Sequence, residues 1–153
     1  MLRYIFILLA LVPLLSRAAD DDDATKHFQE YLGQCGTNEI RCVWFLHEKP
    51  NEGMVMTLNL QHETVYTTRE VYNWASQNSE TRKLTHAQVL TLEKISSELP
   101  PSDPTVEFAK SVSVSIRRNG KVEVFRYDRR HAPTVIRRIH DIGGGYFYDG
   151  KEV

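Results

Sequence analysis

Between Phe125 and Gly145 the chain reads FRYDRRHAPTVIRRIHDIGGG, with arginine at 126, 129, 130, 137 and 138 and histidine at 131 and 140. Guanidinium groups at this density suit recognition of carboxylate, phosphate or sulfate through paired hydrogen bonds. Arg129, Arg130 and His131 come just before Pro133, a residue suited to the first turn of a helix. The unpaired N–H groups of such a turn favour an anion beside them. Arg126 is expected to project nearby from a strand. Arg126, Arg129, Arg130 and His131 are therefore the candidate site for an anion or an acidic partner. Arg137 and Arg138 are assigned to a solvated helix face, with Arg137 paired to Asp141 one turn on. His140 is expected near a helix C-terminus, where the dipole favours a charged imidazole. Asp128, set among these cations, is expected to make a structural ion pair.

Other chemistry is hard to build from this chain. No Gly-x-Ser-x-Gly elbow is present, and no phosphate-binding Gly-x-x-x-x-Gly-Lys followed by Ser or Thr. The histidines at 27, 47, 62, 86, 131 and 140 show no helical or knuckle spacing for a metal. No catalytic residue, cofactor or metal is assigned. Cys35 and Cys42, in CGTNEIRC, are the two cysteines. In an exported protein so close a pair reads as a disulfide. Closing that loop would stabilise the fold by about 2–3 kcal/mol.

Export is expected from the first residues. Arg3 precedes an apolar run from Tyr4 to Leu15, followed by Ser16-Arg17-Ala18. That is the pattern of a secretory signal peptide over residues 1–18. The run is short for a bilayer span, which needs about 20 residues, and Pro13 interrupts it. The mature chain is expected to be secreted or periplasmic, with no membrane span. Its charge is divided. Nine acidic and three basic residues lie between Asp20 and Glu63, whereas nine basic and three acidic residues lie between Lys110 and Asp141. An overall acidic balance argues against nucleic acid as a partner.

The elements that must position the cationic cluster are legible to different degrees. Residues 19–24 are expected to be a flexible acidic N-terminus, residues 25–148 a single domain and residues 149–153 a tail. Thr25 is placed to cap a helix bearing Phe28, Tyr31 and Leu32 on one face and ending at Gly33. IRCVWFLH and MVMTLNLQ predict a hairpin with a loop of about six residues. The segment from Val65 fits either a third strand or, after Thr68, a helix. SQNSETRK reads as a polar loop. Thr85 and Gln88 form a capping box, with Leu84 and Val89 as its staple. The helix they start buries Val89, Leu92 and Leu99, with Ile95 beside them, and stops at Pro100. Asn119-Gly120 predicts a type I′ turn, pairing Val112 with Tyr127 and Val114 with Phe125. Val135, Ile139 and Ile142 mark a last helix that Gly143 ends. Tyr146, Phe147 and Tyr148 are expected to dock back on the domain.

The fold class expected is α+β: a small single domain with an antiparallel sheet of β-hairpins and two or three helices packed on one face. The function expected is a small exported binding or interaction domain without catalysis. Its partner would be an exported protein or an anionic ligand at the basic C-terminal face. Alternatives are a hydrolase acting on an anionic envelope substrate near Arg126, Asp128 and His131, and a structural or assembly protein of the envelope.

Overall fold

A computed structural model describes residues 21–46, 50–72 and 77–144. They form helix α1 (residues 21–33), strands β1 (Glu39–Phe45), β2 (Glu52–Asn59), β3 (Thr64–Val71) and β4 (Gln77–Lys83), and helix α2 (His86–Ser97). A 3-10 turn (Phe108–Lys110), strands β5 (Ser111–Arg118) and β6 (Lys121–Asp128) and helix α3 (Thr134–Gly143) follow. The strands make one antiparallel sheet in the order β4-β3-β2-β1-β5-β6. The architecture is the α+β domain expected. The expected signal peptide (1–18), His47, Tyr146–Tyr148 and the tail lie outside the described residues. Among the described residues no helix is long and apolar enough to cross a membrane.

Both faces of the sheet are covered. Ile40, Cys42 and Trp44 of β1 and Val112, Val114 and Ile116 of β5 meet α2 and α3 through Val89, Leu92, Ile136 and Ile139. The intervening β1 residues point the other way, as a period of two requires. There Val43 and Phe45 pack with Val55 against Phe28 and Leu32 of α1. A β-carbon on Gly53 would stand 2.8 Å from the Phe28 ring, so its bareness lets α1 lie close on β2. On the same face β5 carries Ser111, Ser113 and Ser115, all buried, and then Arg117 at its end. These small side chains leave room for Phe108, whose ring meets that of Phe45 at 5.0 Å.

The hairpin β5–β6 has the predicted register, with Val112 opposite Tyr127 and Val114 opposite Phe125. Asn119 and Gly120 both take the positive φ that the turn demands. The capping box of α2 is complete on both sides.

Several expectations are corrected or settled. SQNSETRK is not a loop, since Gln77–Lys83 is an edge strand paired with β3. An edge strand with little covering it shows no apolar alternation, so the pattern that marks buried strands is missing. Residues 64–71 accordingly continue as a strand. The acidic stretch is helical from residue 21, so Thr25 lies within α1 rather than capping it, and Ala24 is buried. Aspartates suit the positive end of a helix dipole. α3 ends at Gly143 as expected, and the left-handed residue that follows it is Gly144, at φ 70°. Gly143 lies in the last turn, where a β-carbon would collide with the Met56 side chain.

The expected Cys35–Cys42 disulfide is also absent, for both thiols are free and buried. Cys42 shares the sheet face of Ile40 and Trp44. Cys35 follows α1 on the other face, where its sulfur donates to the carbonyls of Glu39 at 3.3 Å and Ser115 at 3.4 Å. The sheet itself stands between them. Spacing in sequence suggested a bridge that strand alternation forbids.

Candidate functional site

The cationic cluster divides once the elements around it are placed. Arg129 is 7% exposed, and its guanidinium donates to the carbonyl of Phe45 at the end of β1. Its backbone N–H donates to Lys110 at 3.1 Å. It is an internal tie between the β6–α3 turn and the centre of the sheet, and it does not face an incoming anion. Arg126 extends over the Phe108 ring at 5.1 Å and donates to the carbonyl of Val106 at 3.2 Å. It thereby fixes the connector that leads into β5. Two of the four expected site residues are thus committed to the fold.

Arg130 and His131 do reach the surface. Asp128 organises their turn. Its Oδ1 accepts the backbone N–H of Arg130 at 2.9 Å, and its Oδ2 meets His131 Nδ1 at 2.8 Å. The His131 bond first, and then the Arg130 N–H, hold the Asp128 carboxyl below the usual carboxylate range. Arg137 closes the turn from α3, donating to the carbonyls of Ala132 and Arg130, each at 3.2 Å. It is therefore not simply part of a solvated face. An open groove of about 550 Å³ lies beside this turn, lined by Thr105, Val106, Glu107, Lys110, Asp128 and Arg130. Lys110 and Glu107 form an ion pair at 2.6 Å on its wall. The groove offers both signs of charge and polar side chains on a preset backbone. The hairpin register sets Lys110 opposite Arg129, but the sequence missed Thr105 and Glu107, which the connector brings beside the turn. Ser102 and Asp103 make that pairing, bonding the backbone of Arg126 at 2.8 and 2.9 Å.

His140 contradicts its expected role. It is fully buried and stacks edge-on against Trp44, with centroids 4.5 Å apart. Burial pushes its pKa down to about 3, so the ring is neutral. Its position near the helix end matters less than its position on the inner stripe, one residue after Ile139.

A more enclosed cavity of about 340 Å³ lies at the other end of the sheet. Met54 and Val65 line it with Thr67, Asn78, Glu80 and Arg82, and the end of α3 closes it at Gly143 and Gly144. Arg82 donates to the carbonyl of Ile142 there. Reading residues 76–83 as a loop hid this place from the sequence. Among the described residues no three histidine, cysteine, aspartate or glutamate side chains are grouped to hold a metal ion. Comparison with protein families, with curated proteins and with solved structures finds no match for this chain.

Proposed function

We propose that the protein is a small exported binding domain without catalysis, which takes an acidic group of a partner protein at the turn following β6. The observation that carries this reading is the preset turn 128–131. Asp128, Arg137 and the buried Arg129 fix its backbone, and Arg130 and His131 stand at the surface beside the open groove. Binding is stronger where the cationic side chains need little ordering on contact. The groove's own Lys110–Glu107 pair would discriminate among acidic partners rather than attract every anion.

The test is calorimetry with an acidic peptide as probe, at two salt concentrations, on the wild-type chain and on Arg130→Glu with Lys110→Glu. Wild-type binding should weaken with salt, and the double reversal should reduce affinity at least tenfold. Arg138→Glu, an exposed change on α3, should leave it unaltered. Equal binding by all three proteins would remove the groove as the recognition surface.

One observation favours a second reading. The Asp128–His131 pair has the form that orients a general base, which would serve hydrolysis of an anionic substrate. Turnover lost in both Asp128→Asn and His131→Ala would support that reading over binding alone.

A further inference from the structure

The two edges of the sheet are not alike. At β6 the connector covers the edge, with Ser102 and Asp103 bonded to the backbone of Arg126. At β4, among the described residues, no strand or loop pairs with the outer edge. The side chains from Asn78 to Thr81 are exposed, as is Lys83. A bare edge of this length is a template for another strand.

The backbone direction along β4 follows from one bond. Leu84 N–H donates inward to Glu63 at 2.7 Å. Pairing groups alternate along a strand, so Arg82 and Glu80 also face β3. Thr81 and Lys83 therefore direct their N–H and C=O groups outward, while Ser79 lies where the β3–β4 register shifts. A second β4 that adds antiparallel places its two-fold axis either at an outward residue or at an inward one, and the inward choices set Glu80 against Glu80 or Arg82 against Arg82 of its mate. Of these registers, only the axis at Thr81 sets opposite charges against each other, with Glu80 of each copy facing Arg82 of its mate. Those two residues then occupy the close, non-hydrogen-bonded positions, where side chains approach best. An axis at Ser79 or Lys83 leaves the two charges without that match.

We propose that two copies of this chain associate through β4, antiparallel about Thr81, to make one continuous sheet of twelve strands. The interface is isologous, as closed two-fold symmetry requires. Glu80 and Arg82 also line the cavity beside α3, so pairing would join the two cavities across the axis.

Sedimentation of the purified chain over a range of concentrations should show a monomer–dimer equilibrium. Thr81→Pro removes an outward N–H that β3 does not use, and should give a folded monomer. Glu80→Lys and Arg82→Glu should each be monomeric alone, through like charges at the axis. Mixed in equal amounts, the two should form a heterodimer, because lysine and arginine of one chain then face two glutamates of the other. Rescue by mixing requires both chains to be folded, so it separates lost pairing from lost structure. A wild-type chain that stays monomeric at every concentration overturns the proposal. So does a dimer that survives Thr81→Pro with unchanged affinity.

Discussion

Adjacent residues of one type can have opposite fates. Arg129 is buried against the carbonyl of Phe45 while Arg130 reaches solvent. Composition showed a dense cationic patch, but nothing local distinguishes the two guanidinium groups. What separates them is the end of β1, some eighty residues away in sequence. His140 shows the same limit. Its place in α3 was legible, yet its burial depends on Trp44 lying beneath it. That burial has a consequence for acid stability. The folded chain keeps the ring neutral down to about pH 3, whereas the unfolded chain takes up a proton near the ordinary 6.5. The stabilisation is complete above pH 6.5 and is lost as pH falls towards 3, by up to about 1.4 kcal/mol per unit. His140→Leu should flatten the fall in urea-derived stability between pH 7 and pH 4 relative to wild type. A variant with the same slope as wild type would place the acid sensitivity elsewhere.

Arginines of the sheet also secure the helices. Arg41 of β1 donates to the carbonyl of Tyr31 at 3.0 Å, at the end of α1. Arg118 of β5 reaches the carbonyl of Ser96 near the end of α2, and Arg82 of β4 reaches Ile142 at the end of α3. The last carbonyls of a helix lack partners within it, and a cation there also suits the dipole. The sequence identified α2 and α3 by periodicity and α2 by its capping box, because those signals are local. It could not identify the arginines that hold the helices, because no local signal marks which strand guanidinium turns back to a helix end. Arg41 is more buried than Arg118, with 18% of its side chain exposed against 32%, and it also lies over the Tyr31 ring. Arg41→Ala should lower stability by about 1.5–3 kcal/mol, the range for a hydrogen bond from a charged donor. Arg41→Lys, which keeps the charge but not the planar fork, should recover only part of that. Chemical denaturation of the two variants measures the difference, and equal losses would show that charge contributes nothing at this tie.

At the scale of the whole molecule the sheet is a partition. α1 and its aromatic cluster occupy one side, and α2, α3 and the larger core occupy the other. Composition and alternation were enough to indicate an α+β domain with helices on one face, but not that α1 would take the opposite face from α2 and α3. The register decides that, since a shift by one residue reverses every side chain. The cysteines report the partition directly. Cys42 belongs to the larger core, while Cys35 is held among backbone carbonyls on the α1 side. Burial raises the pKa of both thiols, which keeps the reactive thiolate scarce. Joining them would require β1 to leave its pairing with β2 and β5. Under native conditions neither thiol should react with an alkylating reagent on the time scale in which the denatured chain reacts at both. A mild oxidant applied to the folded protein should leave two alkylatable thiols after denaturation. If that treatment instead yields a chain with none, joined within itself, then Cys35 and Cys42 can meet without unfolding, and the two-sided arrangement of α1 against the rest is wrong.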